Sequence, residues 1–157
     1  MKRFFSFALA SLLFTGLSFG QANVSTQRVS INVEDIAVIA VQGDVSMTIN
    51  AATAGQAPDA ATASATYALT TNGKNMKISA ELDQDMPDGL TLYAEMGEPS
   101  GAKSKGKIAL SDKGKDLMHN ITKVNASGLS LAYEAVATVE ADVENVVRTV
   151  TYTITKN

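Results

Sequence analysis

A period of two dominates the apolar side chains of this chain from residue 23 onward, and that period restricts what it can fold into. In an extended strand successive side chains point to opposite faces, so strict alternation marks a strand with one buried and one wet face. Val29, Ile31 and Val33 alternate with polar residues, as do Val45, Met47 and Ile49, while residues 36–41 form a continuous apolar run. The rule continues through Met76, Ile78, Ala80 and Leu82, and through Leu90, Leu92, Ala94 and Met96. Its longest stretch is Leu129, Leu131, Tyr133, Ala135, Ala137 and Val139, and the chain closes with Val146, Arg148, Val150, Tyr152 and Ile154. Turn chemistry falls between these runs at Gln42-Gly43-Asp44, Asn72-Gly73-Lys74, Pro87-Asp88-Gly89 and Ala126-Ser127-Gly128. Short strands at such spacing predict an all-β sandwich or barrel.

Two stretches compete with that reading. Residues 51–65 are rich in alanine but carry Gly55, Pro58 and several Thr and Ser without an apolar stripe, which predicts a long loop. Residues 136–147 are rich in Ala, Val and Glu, yet their β-branched side chains favour strand, with a turn near residues 142–145.

The N-terminus predicts the compartment. Lys2 and Arg3 precede an apolar run over residues 4–19, and small residues then offer cleavage after Gly20 or Ala22. Charge, apolar stretch and small-residue exit form the secretory pattern, and a run of about 16 residues falls short of the ~20 a membrane span needs. A signal peptide over residues 1–22 is therefore expected, followed by one domain over residues 23–157. The destination is the periplasm, the cell surface or the outside. The chain has no cysteine, so neither disulfides nor lipid attachment through cysteine can occur, and the core must hold by packing alone.

Removing the leader takes away all five phenylalanines, which leaves Tyr67, Tyr93, Tyr133 and Tyr152 as the aromatics. Losing Lys2 and Arg3 from 13 basic residues, against 16 acidic ones, moves the net charge from −3 to −5. An acidic balance disfavours nucleic acid or anionic lipid as a partner, because both call for a basic surface. Charge is also patterned locally. Residues 81–98 hold six acids and no base, whereas residues 103–115 hold five lysines and one aspartate. These read as two solvated faces that attract one another, or as a bipolar surface for head-to-tail association.

Candidate chemistry is thin. Gly101-Ala102-Lys103-Ser104-Lys105-Gly106-Lys107 has the spacing of a phosphate-binding loop until Ile108, which stands where a Ser or Thr would bind magnesium, so it is rejected. Asp83, Asp85 and Asp88 before Gly89 are raw material for weak calcium binding, but the spacing is not that of an EF-hand and the twelfth position is Ala94. His119 is the sole histidine, and neither Ser127 nor Ser130 lies in a nucleophile-elbow motif, so a catalytic triad or a transition-metal site lacks members. Asn23, Asn120 and Asn125 head matches to the glycosylation acceptor pattern that carry weight only in a eukaryotic secretory pathway. No catalytic, cofactor-binding or metal-binding residue is assigned, and no enzyme activity is expected.

The order of motifs resembles a group of small exported proteins common in Bacteroidetes, similar in plan to spore-coat-protein-U-type and pilin-like sandwich domains. The pieces that carry the resemblance are Met86-Pro87-Asp88-Gly89-Leu90-Thr91-Leu92, the Gly/Ser-rich loop over residues 97–106 leading into Ile108-Ala109-Leu110-Ser111, and the Asn120-Ile121 stretch. Leu129-Ser130-Leu131-Ala132-Tyr133 and the closing Thr149-Val150-Thr151-Tyr152-Thr153-Ile154-Thr155 complete the set, which covers about half of residues 23–157. The resemblance implies an immunoglobulin-like antiparallel sandwich and, by analogy, a fibre or surface-coat role; it supplies no catalytic residues. A strand-donating subunit needs a long alternating N-terminal extension, but residues 21–28 are polar apart from Ala22 and Val24, so a self-completed fold is expected at least equally.

The expectation is thus an exported, non-catalytic structural or interaction protein whose partners are itself or other surface proteins. The alternative is a sandwich that holds a glycan or small molecule through residues 83–89 and 97–106. A subunit should expose an open sheet edge or apolar patch. A binder should show a pocket on which polar groups converge.

Overall fold

The computed structural model describes residues 24–157, so the expected signal peptide and Asn23 lie outside the described residues. The chain divides between Asn32 and Val33, and every strand of the described residues falls in the second unit, Val33–Asn157. The strands are β1 (Ala37–Gln42), β2 (Ala61–Thr71), β3 (Met76–Leu82), β4 (Leu90–Met96), β5 (Lys103–Ser104), β6 (Ile108–Ala109), β7 (Lys115–Ile121), β8 (Val124–Ala137) and β9 (Val150–Lys156). No helix occurs among the described residues.

All pairings are antiparallel and make two sheets, one in the order β1-β2-β8-β4-β6 and the other β5-β7-β3-β9. The expected all-β sandwich is what these residues form. Its core lies between the sheets, where Tyr67, Leu69, Ile78, Met96, Leu117, Met118, Ile121 and Leu131 are fully buried. Each such side chain contributes about 1.5–3 kcal/mol by leaving water. Tyr67 also donates its hydroxyl to the Gly97 carbonyl at 2.5 Å, satisfying a polar tip that burial would otherwise leave stranded.

Several expectations on the strands change. Val29, Ile31 and Val33 alternate but pair with no strand among the described residues, and they stand 71, 83 and 73 % exposed. Val45, Met47 and Ile49 also lie outside any strand, although their side chains are half-buried and alternate with exposed neighbours. The loop expected over residues 51–65 ends early, because Ala61–Ala65 opens β2. There Ala61, Ala63 and Ala65 face inward and Thr62, Ser64 and Thr66 outward, a true period of two written in side chains of similar size. β9 starts at Val150, so Val146 and Arg148 stay outside it, and β8 stops at Ala137, leaving Val139 exposed.

The turn expected at Ala126-Ser127-Gly128 is a bulge inside β8. Tyr67 pairs with Leu129 and Leu69 with Ala126, so two residues of β8 oppose one of β2, and Gly128 takes a φ of 65° to absorb the extra residue. β7 is irregular for the same kind of reason. Its register against β3 shifts twice, which places Leu117 and Met118 side by side in the core.

Candidate interaction surface

The two flanks of the sandwich end differently. On one, residues 103–109 cross from one sheet to the other, since β5 pairs with β7 and β6 pairs with β4. Lysines at every second position of this crossing each find a carboxylate. Lys103 Nζ lies 2.8 Å from Glu98, Lys105 Nζ 3.3 Å from Asp116, and Lys107 Nζ 3.1 Å from Glu134. Lys77 reaches the other oxygen of Asp116 at 3.1 Å, and Lys107 also sits 5.1 Å from the centre of the Tyr93 ring. Lys77 first and Lys105 with it hold the Asp116 carboxyl below the usual carboxylate range, and the Lys103 ammonium does the same to Glu98, helped by the Ser104 amide. Three of the five lysines over residues 103–115 are therefore spent inside their own chain. One of the three crossing pairs, Lys103–Glu98, joins the two charged stretches seen in the sequence.

On the other flank β1 and β9 are the outermost strands of their sheets and border one another, tied at one end by Lys156 and Asp35 at 3.1 Å. Among the described residues, the backbone of Val150–Lys156 bonds to β3 and to no other segment. Among the described residues, β1 likewise pairs with β2 alone. Neither strand contains proline or an acidic residue, and Lys156 at the end of β9 is their one charge.

A groove of about 970 Å³ opens between the sheets. Its walls include Leu90, Leu92, Tyr133, Ala135, Ala137 and Val150, and the unpaired stretch bearing Val45, Met47 and Ile49 lies along it. Gly43, with a φ of 89°, turns the chain out of β1 into this path. The Tyr133 hydroxyl is already bonded to that of Tyr152. Burial raises the pKa of both phenols, and the Tyr133 hydroxyl raises that of Tyr152 further.

The residues weighed for chemistry scatter. Asp83 accepts from the Thr149 amide at 3.1 Å and Asp85 from the Asp112 amide at 2.8 Å, so each staples a loop, while Asp88 lines the groove. Among the described residues no three of His, Asp or Glu gather to hold a metal ion. The Arg148 guanidinium spans the Asp85 and Val147 carbonyls. The stretch with phosphate-loop spacing, residues 101–107, runs as the lysine crossing between β5 and β6, with no helix after it. His119 sits in β7 with a buried Nδ1 that has no hydrogen-bond partner among the described residues. Ser127 and Ser130 belong to β8, Ser127 in its bulge. Asn120 ends in β7 with a φ of 55°, and Asn125 pairs with Thr70. Sequence reasoning missed the crossing, whose signal was Lys103, Lys105 and Lys107 alternating beside acids, and it missed the groove, which has no sequence signal.

No family model, curated protein or solved structure matches this chain.

Proposed function

We propose that this protein is an exported, non-catalytic structural or interaction subunit, a fibre or coat component of the cell surface with an immunoglobulin-like, pilin-like sandwich. It binds copies of itself or other surface proteins. One observation carries the reading: a whole flank, β1 with β9, presents two unguarded strand edges. Such edges are templates for another chain. Exposed Val29, Ile31 and Val33 add apolar surface.

Size-exclusion chromatography with light scattering on the protein purified from cells expressing the full chain tests it, followed by electron microscopy of early-eluting material. Oligomers or fibres that grow with concentration are expected. A monomer at every concentration, with no surface partner recovered, would overturn the proposal.

The groove supports a second reading, a binding module for a small molecule or glycan. Its walls mix polar side chains such as Asp88, Asp142, Asn145 and Arg148 with the apolar ones, but the Tyr133 hydroxyl is already used by Tyr152. Ligand-induced thermal stabilisation of a monomer would favour this reading instead.

A further inference from the structure

An exposed strand edge is normally blunted by shortness, by a charge in mid-strand, by proline or by a bulge. The β5–β6 flank shows two of these devices, two-residue strands and a lysine at every second position. β9 shows none in its interior. Its seven residues pair with β3 in unbroken register from Met76–Lys156 to Leu82–Val150, so the free edge is straight. The one charge, Lys156, is at the end and is matched by Asp35 of its own chain.

The sequence of β9 is also complementary to itself when reversed about its fourth residue. We propose that β9 docks against β9 of a second copy, antiparallel about a twofold axis at Thr153, joining two four-stranded sheets into one. This rests on the reading of the protein as self-associating and names the contact. Thr151 then faces the copy's Thr155, Tyr152 faces the copy's Ile154, and Thr153 faces itself. Threonine pairs and aromatic–β-branched pairs are among those that stabilise antiparallel neighbours. Thr151, Thr153 and Thr155 are exposed while Val150, Tyr152 and Ile154 are half-buried, so the joined sheet keeps one wet and one apolar face. Val150 meets the copy's Lys156, and no like charges face each other. β1, the neighbouring edge on this flank, reads Ala-Val-Ile-Ala-Val-Gln and brings no charge to the axis either. A twofold contact of this kind closes on itself, so a fibre or coat would need a second, different surface as well.

Two substitutions on the full chain test it. Thr153→Lys puts like charges opposite one another at the axis, on an exposed position where the monomer's fold should be untouched. Light scattering should then show a dimer dissociation constant raised at least about tenfold, with an unchanged circular dichroism spectrum. Thr153→Cys in this cysteine-free chain should form a disulfide-linked dimer under mild oxidation at least about tenfold faster than Thr66→Cys, because a fixed interface replaces random collision. Thr66 is an exposed control in β2, which is paired on both sides. Association unaffected by Thr153→Lys, or equal cross-linking at the two positions, would overturn the β9 contact and leave self-association standing on another surface. A wild-type chain that stays monomeric at every concentration would overturn both.

Discussion

The hydroxyl oxygens of Tyr133 and Tyr152 lie 2.5 Å apart and bridge the two sheets, one from β8 and the other from β9. Two of the four aromatics left after the expected leader are thus used as a polar clasp within an apolar interior. Removing one hydroxyl leaves the other buried without its partner, which costs more than the net value of the bond itself. Tyr152→Phe should lower stability by about 1–3 kcal/mol. Tyr133→Phe/Tyr152→Phe together should cost less than the sum of the two single changes, because no stranded hydroxyl remains. Thermal unfolding of the four proteins measures this, and strictly additive losses would contradict the clasp.

Alkaline pH probes the same interior. Burial pushes the Tyr67 phenol up to about 12 and raises Tyr133 and Tyr152 as well. A phenol raised in the folded state keeps its proton after the unfolded chain has lost it. The stabilisation is therefore complete below the unfolded value of about 10 and is lost as pH rises toward the folded value. Denaturant midpoints should fall steadily above about pH 10, with these three phenols ionising as the protein unfolds. Phenolate absorbance that rises ahead of unfolding for all of them would show that they are open to water.

The strands legible in the sequence were those with strong contrast between their two faces. β3, β4 and β9 alternate Met, Ile, Leu or Tyr with polar residues, and each lies within a few residues of where the alternation put it. β2 was hidden in its first half because alanine and threonine differ little in hydrophobicity, so a strand there reads like a loop. β7 was hidden because two register shifts break its period. The opposite error fell on Val29, Ile31 and Val33. Alternation reports that a segment would suit a sheet, but a ladder also needs a neighbour with free amides and carbonyls. The flanks escaped the sequence altogether, since which strand lies outermost depends on pairings between residues far apart in the chain.

Two glycines separate backbone strain from crowding. Gly89 and Gly128 both hold a positive φ, 80° and 65°, where a Cβ is strained in itself. A Cβ at Gly128 would meet nothing within 4 Å, whereas at Gly89 it would fall 2.5 Å from the Ala141 backbone nitrogen. Backbone atoms cannot rotate aside as a side chain can. Gly128→Ala should cost about 1–2 kcal/mol, the left-handed penalty alone. Gly89→Ala should cost distinctly more and should loosen the hydrogen bond from the Thr138 amide to the Gly89 carbonyl, now 2.8 Å. Chemical denaturation of both variants, with hydrogen exchange at Thr138, checks the order. Equal losses would show that the 138–141 segment moves away freely.

The lysine crossing should make a small, salt-sensitive contribution that disappears in acid. The Asp116 carboxylate is shared by Lys77 and Lys105 and is held below its usual range, so its contribution is present above the unfolded value of about 4 and is lost as pH falls through the lower folded value. Asp116 and both lysines remain partly in water, which limits the value of each pair to about 1 kcal/mol or less. Asp116→Asn should therefore be less stable than the parent at neutral pH by about that amount. The gap should narrow below about pH 4 and also shrink in 1 M salt, where charges separated by more than ~3 Å are screened. A loss independent of both pH and salt would mean that Asp116 acts through the packing of β7 against β3. The crossing would then hold its flank closed by shape, and its charges would serve chiefly to keep other chains off that edge.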